Sequence, residues 1–226
     1  MNSYRKDAII AGALFLTAMA ASILGGGLIE SILTAPDFIS NISANLSTIY
    51  IGVFLEFINA FAVVGIAVTL FPILKKHNDS LALGYVGFRL IESVFCIVSA
   101  LIPLTLIFLS KEYLKTELTD VNNMKTLSLL FIYIRTDLAE IVIPIAFSLG
   151  AFLLYHILYH SKLIPRFISV WGLIGVILIL LLVFLKVSMI LNIIFVLPII
   201  LNEIFLGIYL IVKGFNLHEL IPDLQN

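Results

Sequence analysis

Seven polar residues stand inside stretches otherwise made of Leu, Ile, Val, Phe and Ala: Glu56, Asn59, Arg89, Glu92, Asp137, Glu140 and Glu203. Carboxylates held together away from water can bind a cation, carry a proton, or act as a paired acid and base. Arg89 and Glu92 are three residues apart, a spacing that lets two side chains meet on one helix. Asp137 and Glu140 repeat that spacing, and so do Glu56 and Asn59.

The helical period sorts these residues into faces. Tyr85, Arg89, Glu92, Cys96, Ser99 and Pro103 follow steps of four and three and line one side of a helix. Tyr133, Asp137, Glu140, Pro144 and Ser148 form a second such stripe. Asn192 and Glu203 share a face further on, and Arg135 falls off the Asp137 face, where its long stem is expected to snorkel to water. At about 1.5 Å per residue, Glu92 and Glu203 come near a bilayer midplane, and Asp137, Glu140 and Glu56 lie in the outer half. These acids are therefore expected to share one cavity in the outer half of the membrane.

Charge sharpens the expectation. Five acids (Glu56, Glu92, Asp137, Glu140, Glu203) face two bases (Arg89, Arg135). An ionised residue at the centre of a membrane helix costs about 2.5–3.5 kcal/mol on insertion scales. The excess acids must be protonated, hydrated or neutralised by a bound cation.

The elements that carry these stripes are transmembrane helices. The chain has 226 residues, 62% hydrophobic and only 12% charged. A soluble domain has about 45–50% apolar and about 25% charged residues, so this composition calls for a bilayer. Apolar runs long enough to span predict an all-α, multi-pass bundle of six transmembrane helices, at about 8–29, 51–74, 81–109, 127–159, 167–185 and 191–212. The whole chain, 1–226, reads as one membrane domain. The first run is expected to be a retained helix and not a cleaved signal. Gly25-Gly-Gly27 is expected to loosen its outer end, residues 34–48 to hold a short interfacial helix, and 110–123 to form a polar loop.

An even number of spans puts both termini on one side. Arg5, Lys6, Lys75, Lys76, Lys162, Arg166 and Lys213 fall on that side, against Lys111, Lys115, Lys125 and Lys186 on the other. Positive residues favour the cytoplasm, so both termini are expected inside. Helices one and five lack a central polar stripe and are expected at the periphery, and Pro103, Pro144 and Pro198 are expected to bend three of the polar helices.

Other signals are weaker. His156 and His160 share a helical face, but no third ligand is near, and the segment sits beside Lys162 and Arg166. An interfacial cluster is expected there, and no metal site. Cys96, the single cysteine, reads as a packing residue. The net charge of -1 argues against a nucleic-acid partner. No phosphate loop, dinucleotide fingerprint or nucleophile elbow is present, so no cofactor and no catalytic residue is assigned. Oligomeric state is not legible.

Several segments together resemble a known family. They are Ala35-Pro-Asp37, Leu83-Gly-Tyr-Val-Gly-Phe-Arg-Leu-Ile-Glu92, Arg135-Thr-Asp137, the stretch from Ser161 to Gly175, Asn202-Glu203, and Ile211-Val-Lys-Gly-Phe215. In this order they resemble the bacterial membrane family called domain of unknown function 4386. The resemblance implies a multi-pass protein of the bacterial inner membrane and supplies no activity, substrate or site residue. The leading functional expectation is binding or translocation of a cation, a proton-coupled solute or a small polar ligand, with the lipid bilayer as surroundings. A non-catalytic sensor or accessory protein is the alternative. A membrane-embedded enzyme using paired carboxylates comes third.

Overall fold

A computed structural model describes residues 3–114, 121–185 and 188–216. The helices are α1 (Ser3–Leu33), α2 (Phe38–Ala44), α3 (Leu46–Leu74), α4 (Asp79–Tyr113), α5 (Val121–Asp137), α6 (Ile143–Ser161), α7 (Arg166–Phe184) and α8 (Met189–Val212). One turn of π-helix, Leu138–Val142, joins α5 to α6. Among the described residues six helical spans are long and apolar enough to cross a membrane, α5 and α6 counting as one. The all-α multi-pass bundle read from the sequence is what the chain forms. Residues 115–120, Lys186 and the tail after Asn216 lie outside the described residues.

Boundaries differ where packing extends a helix beyond its apolar run. The loop expected from Ser110 begins later, because α4 continues to Tyr113. Ser110 is buried and donates to the carbonyl of Ile39 in α2 at 2.5 Å. That bond seats α2, the short helix expected after the first span, on the end of α4. Asn78 starts α4 as an N-cap: its side chain accepts from the Leu81 N–H at 2.9 Å, filling one of the orphan donors of a first helical turn.

The first and last described residues, Ser3 and Asn216, lie at one end of the bundle, as an even number of spans requires. Arg5 of α1 donates to the carbonyls of Leu210 at 3.0 Å, Ile211 at 2.5 Å and Val212 at 3.1 Å. A cation there satisfies carbonyls that the last turn of α8 leaves open. Gly214, at φ 77°, turns the chain out of α8 beside Arg5.

The spans pack in a closed cycle, α1, α3, α4, α6, α7, α8 and back to α1. Glycines set the closest seams. A Cβ on Gly12 would meet the Gly207 carbonyl oxygen at 2.5 Å, and one on Gly25 would meet the Gly52 carbonyl oxygen at 2.9 Å. Two backbones approach this closely only where side chains are missing, the small-residue packing typical of membrane helices. Gly25 is thus buried in a helix seam, and α1 stays helical to Leu33 without the expected loosening.

Two apolar cores hold the bundle. The larger, in the half nearest the termini, draws on all six spans around the fully buried Tyr85 and Tyr155. The smaller sits at the α2 end and includes Ile29, Phe38, Ile42, Val53 and Leu106, with no buried residue from α6, α7 or α8. The α2 half of the bundle is therefore packed on one side only. In α8 no residue from 190 to 198 is buried, and in the π turn none is.

Candidate functional site

The space left in that half is a cavity of about 790 Å³. Its polar lining is Glu30 and Ser22 of α1, Glu56 and Asn59 of α3, Arg89, Glu92, Cys96 and Ser99 of α4, Arg135 and Thr136 of α5, Glu140 of the π turn and Glu203 of α8. At about 1.5 Å per residue, Glu203 stands about 14 Å from the terminal end of its helix, Glu92 about 20 Å, Glu56 about 27 Å and Glu140 about 31 Å. The acids thus form a ladder that descends from the α2 end to Glu203 near mid-depth.

Each rung has an elementary origin. On α4 the period of 3.6 carries Tyr85, Arg89, Glu92, Cys96 and Ser99 to one face, and all five are buried. Arg89 Nη1 donates to Glu92 Oε2 at 2.9 Å within that helix. The guanidinium also lies 5.7 Å over the Phe147 ring, an attraction of cation to aromatic face. Gly150 of α6 makes room for it, since a Cβ there would come 3.3 Å from Arg89 Cδ.

The second pair crosses between helices. Arg135 Nη1 donates to Glu56 Oε2 at 3.1 Å, and Nη2 donates to Glu56 Oε1. Nη1 also reaches the Ser99 carbonyl at 2.8 Å and the Ser99 hydroxyl at 3.2 Å. This two-pronged contact matches the planar fork of a guanidinium to a carboxylate. Asn59 places its Nδ2 3.9 Å from Cys96 Sγ.

Arg135 is the main correction to the sequence reading. It was expected to reach outward to water, with Asp137 on the inner face. Instead Arg135 is buried, Asp137 is exposed and does not line the cavity, and Tyr133 is 65% exposed. The cause is Pro144. It has no N–H to give the Glu140 carbonyl, and its ring crowds that oxygen. The helix widens: the Ile143 N–H reaches back five residues to Leu138. One extra residue in a turn rotates everything before it by about 100° relative to an uninterrupted helix. Counting at 3.6 across the π turn therefore assigns the wrong face to α5. Glu140, inside the turn, still reaches the cavity edge and is exposed there.

Helix one is also not peripheral. It lends Ala18, Met19, Ser22, Ile23, Gly26, Gly27 and Glu30 to the lining. The signal was present in the sequence, since Ser22, Gly26 and Glu30 recur in steps of four. Helix five of the six spans, α7, lends only Ile179. Asn192, expected on the Glu203 face, lies in the unpacked end of α8 and is exposed. Asn202, beside Glu203, is fully buried and donates to the Ile168 carbonyl at 2.9 Å, locking α8 to α7.

The lining holds five carboxylates and two guanidinium groups. Glu92 and Glu56 are taken by the two arginines. The carboxylates of Glu30, Glu140 and Glu203 have no hydrogen-bond or ion-pair partner among the described residues. Glu203 sits deepest of the three, within electrostatic range of Arg89, Glu92 and Tyr85. The balance of charge matches the one expected from the sequence, with Glu30 in place of Asp137.

The histidines stay apart, at the terminal end. The rings of His156 and His160 lie with centres 4.6 Å apart, tilted by 51°, and border a hollow of about 280 Å³ with His77 and Asn78. No cluster of three or more His, Cys, Asp or Glu suited to a metal ion occurs among the described residues.

No curated protein and no solved structure matches the chain. The family model described as "Domain of unknown function (DUF4386)" matches residues 10–214. That range contains every residue lining the cavity, from Ala18 to Glu203. The chain therefore belongs to the DUF4386 family.

Proposed function

We propose that the protein binds, and in doing so can pass across the membrane, a small cation, a proton-coupled solute or a small polar ligand held in the acid-rich cavity. The excess of basic residues at the terminal end supports a reading in which that end is cytoplasmic and the cavity faces outward, in a bacterial inner membrane. The observation that carries the reading is Glu203, a carboxylate at the floor of the cavity with no ion-pair partner among the described residues. A carboxylate at that depth needs a proton or a cation to be tolerated.

The test uses the full chain purified in detergent or nanodiscs, titrated with sodium, potassium, methylammonium and guanidinium while thermal unfolding is followed. A ligand that binds the folded state raises the unfolding temperature in proportion to its occupancy. At least one of these cations is expected to stabilise the wild-type protein and to leave Glu203→Gln unmoved. No stabilisation by any of the four overturns cation binding.

The two completed ion pairs favour a second reading, a non-catalytic accessory or sensor protein whose buried charges only fix helix packing. On that reading Glu203→Gln changes nothing, because Glu203 belongs to neither pair.

A further inference from the structure

The cavity is far larger than a bare ion needs. A water-sized occupant takes about 30 Å³, and pockets for organic ligands run about 300–1,000 Å³. At about 790 Å³ the space belongs to the second class. Its two sides differ in chemistry. The side built by α3, α4 and α5 carries both ion pairs. The side built by α1, α7 and α8 is mostly apolar, with Met19, Ile23, Ile179, Val196 and Ile200 around the acids Glu30 and Glu203 and the hydroxyl of Ser22. Unsatisfied groups remain on the charged side. Glu92 is 5% exposed and uses only Oε2 on Arg89, and Arg89 Nε is buried with no partner among the described residues.

The wall is also incomplete at membrane depth. Ile23 lines the cavity and is 53% exposed, about 15 Å below the α2 end of its helix. Facing it, α8 has no buried residue between 190 and 198. A ligand can therefore enter from the lipid, with a hydrocarbon part that never leaves apolar surroundings.

We infer that the cavity takes an amphipathic amine, its cationic head on Glu203 and its hydrocarbon chain along Ile179, Val196 and Ile200. This rests on the cation-binding reading and narrows it. The ligand can come from the outer leaflet, as an amine-headed lipid, or from solution, as a free alkylamine.

The experiment uses decylamine carrying a diazirine at the tail, added to the full chain in phosphatidylglycerol nanodiscs, with adducts located by mass spectrometry. Adducts are expected on Ile179, Val196 or Ile200, at least fivefold reduced by excess unlabelled decylamine and in Glu203→Gln. The analogous diazirine alcohol is expected to label these positions at least fivefold less. Ile200→Trp, which fills part of the apolar side, is expected to reduce labelling of Ile179 and Val196 at least fivefold. Including phosphatidylethanolamine in the discs separates the sources: competition marks a lipid ligand, and no competition marks a free amine, each in line with the proposal. Equal labelling by the alcohol, or adducts confined to outward-facing residues such as Phe54 and Phe61, overturns it. If methylammonium still stabilises the wild-type protein in that case, cation binding stands and only the amphipathic ligand falls. If neither occurs, both fall.

Discussion

Arg135 of α5 holds Glu56 of α3 through both ends of its guanidinium while also bonding the Ser99 carbonyl of α4 at 2.8 Å. One side chain thus ties three spans together at the level where the bundle is least packed. The pair is the main polar connection between α5 and the rest of the cavity wall.

Removing Arg135 leaves the part-buried Glu56 without its ion-pair partner. Arg135→Leu is expected to destabilise the protein by about 3 kcal/mol or more, the range for breaking a buried pair. The double variant Glu56→Gln, Arg135→Gln is expected to recover over half of that loss, because no unpaired charge remains. Thermal or chemical unfolding of the three proteins side by side checks this, and equal stability of the single and double variants would sink it.

Pro144 sets the phase of α5. Pro144→Ala restores an N–H that can reach the Glu140 carbonyl, and the π turn is expected to relax to an α turn. Arg135 then rotates by about 100° away from Glu56. Single cysteines placed from 133 to 141, with Cys96 replaced by Ala, report the change through their reaction with a water-soluble thiol reagent. The pattern of reactive positions is expected to shift by one residue in Pro144→Ala and to stay fixed if the turn is held by something other than the proline.

The helix seams depend on two glycine pairs. Gly12→Ala sets a Cβ 2.5 Å from a backbone carbonyl that cannot swing away, so α1 and α8 must separate. A loss of about 1–3 kcal/mol is expected, as for overpacked cores. Gly87→Ala is the control. Nothing lies within 4 Å of its Cβ, and the substitution favours helix by about 0.5–1 kcal/mol. Opposite signs for the two variants in one unfolding assay are the expected result.

The absence of Asp137 from a cavity lining that keeps Glu140 can be read in binding. Asp137→Asn is expected to leave cation-dependent stabilisation within twofold of wild type, because Asp137 does not line the cavity. Glu140→Gln is expected to weaken it several-fold. A larger effect of Asp137→Asn than of Glu140→Gln would return Asp137 to the site.

What the sequence determined by itself was local in origin. Hydropathy over a bilayer's thickness marked six spans, since lipid admits only helices with satisfied backbones at that length. The 3.6 period put Arg89, Glu92, Cys96 and Ser99 on one buried face, since α4 is regular through that stretch. Counting charges gave the excess of acids. Only the tertiary structure decided which charges meet. The choice of Arg135 over Asp137 turned on one extra residue in a π turn, and a helical phase carried across such a turn is off by about 100°. Glu30 entered the cavity because the Gly25–Gly52 contact draws α1 against α3, a matter of shape between helices that no single helix encodes. Among the described residues Glu203 is left without a hydrogen-bond or ion-pair partner for the same kind of reason. Its neighbours Asn202 and Leu206 fix α8 in place, and the two arginines that could have answered it are already held by Glu92 and Glu56.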